Sequence, residues 1–279
     1  LYDFGVVAIG STKTRIFTVT NTGGASASPL ADGGGLVLPF RYLASAYPGS
    51  GGNCNVSLAP GASCDLVIEF VPTVASIAND QLLLNYNDGL AAQTATRDIL
   101  GTGAIPANIT ITETDPYNFG TIPTGGTLIH LFTLTNTGGF TATTISEVGL
   151  AAPFSFTGGT FPGTNGNCTT SLTATSSCLV EVQFNPTVTG LQTDTISISY
   201  FDGASSQTSN RDVQGSGVTP ANLTLSDGPI YDYGSPVIGA QVDHTFNVTN
   251  SGGYIATTIV GGGLLPPYEY KGGSYPGLG

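Results

Sequence analysis

The sequence predicts an all-β chain, a row of antiparallel sandwich modules, and three observations carry that prediction. The 279 residues repeat at an interval of 115 (Tyr2 to Tyr117) or 114 (Cys54 to Cys168), the length of one domain rather than of one solenoid rung. Apolar and polar residues alternate with period two in the same places of each copy. No stretch keeps helical spacing over three turns, because Gly, Pro and β-branched residues interrupt every window.

In chain order, each copy opens on Tyr2-Asp3-Phe4-Gly5, which returns as Tyr117-Asn118-Phe119-Gly120 and Tyr231-Asp232-Tyr233-Gly234. A strand follows in which Phe17 and Val19 alternate with Thr18 and Thr20; Phe132 and Leu134, then Phe246 and Val248, repeat it. It stops at Asn21-Thr22-Gly23-Gly24, again at Asn136 to Gly139 and, with Ser251, at Asn250 to Gly253. The stretch from Ala25 to Gly52, with three consecutive glycines at 33 to 35 and a Tyr47-Pro48-Gly49 turn, reads as irregular surface chain. Beyond it, Cys64, Leu66, Ile68 and Phe70 form the buried face of a strand, matched by Cys178, Val180, Val182 and Phe184, and Pro72 or Pro186 ends it. Leu82, Leu84 and Tyr86, repeated as Ile196, Ile198 and Tyr200, make one more, ended by Asp88-Gly89 or Asp202-Gly203 in the manner of a hairpin turn. Several separate inward-facing sets joined by long connections favour a sandwich over a barrel.

The copies divide the chain into residues 1–103, a module short of its first strand; 104–217, a complete one; and 218–279, a third that stops before its cysteines. About a hundred residues suffice for a two-layer core, so the complete module is expected to fold by itself and the third is not. The chain reads as a window on a longer array. The joints, Gly101 to Asn108 and Gly215 to Asn222, hold Pro and no flexible spacer, so neighbouring modules are expected to stack stiffly.

Composition excludes several functions. Only 9% of residues are charged, 40 are Gly, and Met and Trp are absent, unlike a helical enzyme. The net charge of -12 divides as -3, -6 and -3 over the three modules. A dispersed acidic surface repels nucleic-acid phosphates and anionic lipid, so neither is an expected partner. No apolar run is long enough to span a membrane, and none is expected to insert. The cysteines fall as two pairs, Cys54 with Cys64 and Cys168 with Cys178, each with nine residues between. The repeated spacing reads as one disulfide per module, with reduced thiols as the alternative. A zinc site would need four ligands, and no second cysteine pair or histidine lies nearby. Closing so short a loop stabilises by about 3 kcal/mol on the chain-entropy estimate.

Catalytic and cofactor chemistry finds no footing. His130 and His244 occupy equivalent positions, but Arg15 stands there in the first copy, as suits an exposed strand position and not a general base. The glycines are turn residues with no helix following, so no phosphate loop or nucleophile elbow is present. Asp88, Asp98, Asp202 and Asp212 lack a calcium-loop pattern and read as turn residues and as edge charges paired with Arg97 and Arg211. Five Asn-x-Ser/Thr sequons, beginning at Asn55, Asn108, Asn167, Asn222 and Asn247, match what composition alone supplies. Tyr42, Tyr47, Phe156, Phe161, Tyr270 and Tyr275 recur around the glycine-rich loop; packing of that loop, contact with another module or chain, and stacking on cell-surface glycans all suit them.

Together the Phe-Gly opening, the Thr-Asn-Thr-Gly-Gly strand end, the paired cysteines, the Phe-x-Pro-Thr turns at Phe70 to Thr73 and Phe184 to Thr187, and the closing Gly-Thr-Gly or Gly-Ser-Gly resemble the bacterial choice-of-anchor D repeats. Those are related to the ASPM/SPD-2/Hydin group of immunoglobulin-like domains. The resemblance implies an immunoglobulin-like sandwich in a large exported bacterial surface protein, with no catalytic residues to carry over. The reading is therefore a non-enzymatic extracellular stalk, fibre or filament whose partners are other copies or neighbouring modules. A glycan-binding or host-binding adhesin and an intracellular scaffold of the ciliary kind are the alternatives.

Overall fold

The computed structural model describes residues 1–278. The first repeat contains β1 (Tyr2–Ala8), β2 (Lys13–Thr20), β3 (Ala31–Asp32), β4 (Phe40–Tyr42), β5 (Ser63–Phe70), β6 (Ile77–Asn87) and β7 (Ala92–Ala104). They form two facing sheets, β1-β7-β6-β3 and β2-β5-β4. The second repeat contains β8 (Ile109–Ile111), β9 (Tyr117–Pro123), β10 (Leu128–Asn136), β11 (Ala142–Glu147), β12 (Phe154–Phe156), β13 (Ser171–Leu172), β14 (Ser177–Phe184), β15 (Gly190–Phe201) and β16 (Ser206–Val218). Its sheets are β13-β11-β15-β16-β9 and β12-β14-β10-β8. The inward positions lie as read from the sequence, with Val180, Val182 and Phe184 of β14 and Ile196 and Ile198 of β15 fully buried, but the face expected to be solvated is covered too at Val67 and Glu69 of β5 and Glu181 of β14.

Each core centres on three phenylalanines from three different elements. Phe119, Phe154 and Phe184 lie 4.9 to 5.9 Å apart by ring centroid, as do Phe4, Phe40 and Phe70. Burying each such ring contributes about 1.5–3 kcal/mol. The closing Gly-x-Gly sits against them, since a Cβ on Gly215 would strike the Phe184 ring and one on Gly217 would strike Pro186. The two cystines lie beneath the surface, Cys54–Cys64 with Cα atoms 4.8 Å apart and Cys168–Cys178 with 4.9 Å.

Not every pairing is antiparallel. β1 runs parallel to β7 and β9 parallel to β16, each with a bulge after Asp3 or Asn118. The Tyr-Asp/Asn-Phe-Gly opening builds that bulge: the side-chain oxygen of Asp3 or Asn118 accepts from the amide two residues on, and Gly5 and Gly120 take φ of 73° and 90°.

The stretch from Ala25 to Gly52 departs from its reading as irregular surface chain. It supplies β3 and β4 and buries Leu30, Phe40 and Tyr42. Three residues, Phe40-Arg41-Tyr42, are too few to display a period, so their pairing with Phe70, Glu69 and Ile68 of β5 is a tertiary fact.

Residues 219–278 contain two paired strands, β17 (Leu223–Leu225) and β18 (Val248–Asn250). Leu223 and Phe246 are 42% and 40% exposed, whereas their counterparts Ile109 and Phe132 are 3% and 0%. The strands that cover those side chains in the second repeat have no counterpart in this stretch.

Candidate functional site at the joint between repeats

The linker into the second repeat is held by the Asn-Thr-Gly-Gly strand end of that repeat. Asn136 closes β10 with its side chain fully buried. Its Nδ2 donates to the carbonyls of Phe140 and Leu172 at 2.8 and 3.0 Å, and its Oδ1 accepts from the amides of Asn108 and Gly138, both at 3.0 Å. All four hydrogen-bonding positions of the amide are thus filled. One bond reaches the linker, one reaches β13, and two fold the turn. Asn250 repeats three of these four bonds at the next joint, accepting from Asn222 and Gly252 at 3.0 Å and donating to Tyr254.

The linker after β7 belongs structurally to the repeat that follows. Ala107 donates to Asp202 O, Thr137 to Asn108 O and Gly139 to Ile105 O, at 2.8 to 3.0 Å. Pro106 and Ala107 lie so close over Gly138 that any Cβ there would collide with them, and Gly252 carries Pro220 and Ala221 in the same way. From the other side, Ala8 and Gly10 of the first repeat reach Gly203 and Ala204 of the Asp202–Ser205 turn, against which Phe140 also packs. A Cβ on Gly203 would lie 2.8 Å from Ala8 Cβ and 2.5 Å from the Phe140 ring. Ala8 and Ala104 are buried there.

Asp202 caps this turn. Burial raises its pKa, but the Ser205 and Ala204 amides and the Gln207 side chain outweigh that and hold the carboxyl below its ordinary value. Asp88 caps the equivalent turn of the first repeat through Leu90, Ala91 and Gln93. Both are turn caps. The edge charges pair otherwise than the sequence suggests: Arg211 reaches Asp115 at 3.6 Å and Ile111 O, while Asp98 and Asp212 accept from Gln81 and Thr195. Adjacent residues of a strand point to opposite faces, so Arg97-Asp98 and Arg211-Asp212 cannot pair within themselves. Among the described residues no cluster of acids, histidines or cysteines suits a metal ion.

The histidine positions are also corrected. His130 stacks on Tyr117 at 4.1 Å with Glu113 3.3 Å from its Nε2, and His244 stacks on Tyr231 at 3.7 Å beside Asp227 at 3.0 Å. Arg15 lies over Tyr2 at 5.0 Å. His130 and His244 are half-buried in these aromatic seats, while Arg15 is exposed; in the first two repeats the tyrosine partner comes from the facing sheet, out of sight of strand periodicity.

Nor do the loop aromatics form an outward platform. Tyr42 and Phe156 are 6% and 5% exposed, and Tyr47 and Phe161 pack edge-to-face on them at 5.4 and 5.6 Å. Burial and the neighbouring Asp32, which accepts from Tyr42 Oη at 3.0 Å, push that hydroxyl above its ordinary value. Tyr270 and Tyr275 pair at 5.5 Å in the third repeat, where Tyr275 is 39% exposed.

Residues 109–216 match the family model of the HYDIN/CFA65/VesB-like Ig-like domain. The second repeat is therefore related to the Hydin-type immunoglobulin-like domains. That fold and the chain's two disulfides, one in each of the first two repeats, fit a non-enzymatic structural role in a secreted or extracellular setting. No curated protein matches the chain. Among solved structures, the VesB protease of Vibrio cholerae is 19% identical, with a TM-score of 0.32, over 40% of this chain and 32% of its own. The chain thus spans about a third of that protease's length. The PapD-like domain 7 of human CEP192 is 16% identical over 42% of this chain and 88% of its own, with a TM-score of 0.30. Titin domains I67–I69 are 8% identical over 89% and 84%, with a TM-score of 0.34. No helix among the described residues is long and apolar enough to cross a membrane.

Reading the sequence alone missed Asn136, Gly138 and Phe140 as joint residues. The available signal was that Asn stays constant in all three copies while the residue after it varies between Thr and Ser, more than a turn requires.

Proposed function

We propose that this chain is a length of a non-enzymatic stalk or fibre of the choice-of-anchor D kind, exported to a bacterial cell surface, in which each repeat sets the direction of the next. The observation that carries this reading is the joint: a four-residue linker hydrogen-bonded into the following repeat by the same Asn and Gly at two successive junctions. A linker held this way transmits orientation, so reach grows with repeat number and little of it is lost to bending. The buried cystines suit an oxidising exterior and resist proteolysis of the short loop each closes. Low charge and Ser/Thr-rich outer strands suit lateral contact between such rods.

Small-angle X-ray scattering tests the stiffness. The chain is expected to scatter as an elongated particle of one maximum dimension, and Gly138→Val, by displacing Pro106 and Ala107, is expected to broaden that distribution. A wild-type profile already as broad as that of freely jointed domains would overturn the reading. Electron micrographs showing only single thin chains at high concentration would count against the fibre.

A further inference from the structure

Asn165 is followed by Gly166, the only Asn-Gly pair in the chain. In that sequence the side-chain amide has a reactive neighbour, because glycine has no Cβ to hinder the attack of its nitrogen on Asn Cγ. The pair lies in the loop that crosses β14, between two anchors. Glu181 N donates to Pro162 O at 2.8 Å on one side, and Asn167 N donates to Leu179 O at 2.9 Å on the other. Between them Glu181 grips Asn165. Its Oε1 accepts from Asn165 Nδ2 at 2.8 Å and its Oε2 from Asn165 N at 3.2 Å, with the Thr157 hydroxyl donating to the same Oε2. Glu181 is 4% exposed under the loop, whereas Asn165 stands in solvent. Gly166 N is engaged too, donating to Gly163 O at 3.1 Å. Packing dictates the glycine, since a Cβ on Gly166 would lie 2.2 Å from Pro162 O, as one on Gly52 would lie 2.6 Å from Pro48 O in the first repeat. That repeat has Val67 in place of Glu181 and Gly51 in place of Asn165, so it lacks the carboxylate and the amide together.

We propose that Asn165 is a site of spontaneous deamidation gated by Glu181, and that the reaction is a one-way release of the loop over β14. While the carboxylate holds Asn165, the side-chain amide and the Gly166 nitrogen are each bonded elsewhere and do not meet. When the grip opens, Gly166 N attacks Asn165 Cγ, the Cγ–Nδ2 bond breaks, and the Gly166 amide proton leaves with ammonia. Water, the sole co-reactant, then opens the succinimide to aspartate or isoaspartate. Neither product can return to the closed arrangement. Each sets a carboxylate where a donor stood 2.8 Å from Glu181, and like charges so close repel. Isoaspartate also lengthens the backbone between Pro162 and Asn167, both of which are tied to β14.

Incubation of the full chain near neutral pH, followed by peptide mapping of the loop by mass spectrometry, tests the gate. Glu181→Val installs the first repeat's residue and is expected to speed conversion at Asn165 about tenfold, because bonds to a charged acceptor are lost. Asn165→Gly, likewise the first repeat's residue, is expected to abolish conversion in this loop, and a product there would place the reaction elsewhere and overturn the assignment. Ile198→Ala opens a buried core site away from the loop and serves as control, with lower thermal stability and a conversion rate close to wild type. A Glu181→Val rate equal to wild type, or an Ile198→Ala rise as large as that of Glu181→Val, overturns the proposal. If Glu181→Val does not fold, Glu181→Gln takes its place with an expected rise of about threefold, the charge assistance alone being lost, and no rise overturns the gate. Asn165→Asp makes the product directly and reads the release. Hydrogen exchange at the Glu181 amide, bonded to Pro162 O, is expected to quicken about tenfold, and unchanged exchange overturns the one-way release. A chain stiff in scattering whose Asn165 is inert keeps the array and loses the switch.

Discussion

Asn136→Ala is the sharpest perturbation of the joint. Its amide makes four hydrogen bonds, and those to Leu172 O and from Gly138 N lie in buried surroundings while the other two are half-buried. Alanine supplies none of them and leaves two carbonyls, of Phe140 and Leu172, and two amides, of Asn108 and Gly138, without this partner. An orphaned buried donor or acceptor costs about 1–3 kcal/mol, so the two buried ones alone cost about 2–6 kcal/mol, and a loss of about 4 kcal/mol is expected. Asn21 makes only three of these bonds and is partly exposed, so Asn21→Ala is expected to cost about half as much. Urea unfolding followed by far-ultraviolet circular dichroism measures both, since the chain has no tryptophan. The second repeat's midpoint is expected to fall at constant slope, with its melting temperature lower by more than about 10 °C. A loss below about 1 kcal/mol for Asn136→Ala, or equal losses at the two sites, would refute the claim that this amide brackets linker, turn and β13 at once.

The buried cystines, 2–8% exposed, are expected to stay oxidised under reductant alone and to yield only with denaturant, as alkylation and mass spectrometry would read; Cys168→Ser with Cys178→Ser is expected to cost about 3 kcal/mol. Glu181 is held below its ordinary value by the Thr157 hydroxyl, the Asn165 side chain and the Asn165 amide. Its contribution is therefore present above its unfolded value of about 4.3 and lost as pH falls through the lower folded one, so Glu181→Gln is expected to flatten the acid limb of a stability profile below about pH 4. A limb as steep in the variant as in the wild type would show the loss to come from elsewhere, Asp202 first. Phe184→Ala, which empties the centre of the phenylalanine trio, is expected to cost about 3–5 kcal/mol by the same urea measurement.

Most of the architecture was open to reading because it rests on local period. Val180, Val182 and Phe184 alternate with polar or half-covered neighbours, and a strand with one buried face must read that way. The turns at Asp88-Gly89 and Asp202-Gly203 were legible for a similar reason, since their conformation is decided by the residues within them. Three residues, Phe40 to Tyr42, gave no such signal, and neither did the seats of Arg15, His130 and His244. Each is settled by a strand or ring from a distant part of the chain.

From the residues in order one can derive the repeat, its strands, its turns and the pairing distance of its cysteines, because each depends on neighbours a few positions away. The parallel course of β9 beside β16, the burial of Tyr42 and Phe156, and the use of Asn136 as the bracket of a joint depend on chain segments tens of residues apart. Only folding brings those segments within hydrogen-bonding reach, and that reach, not the local pattern, decides which side chains face a neighbour and which bonds hold a joint.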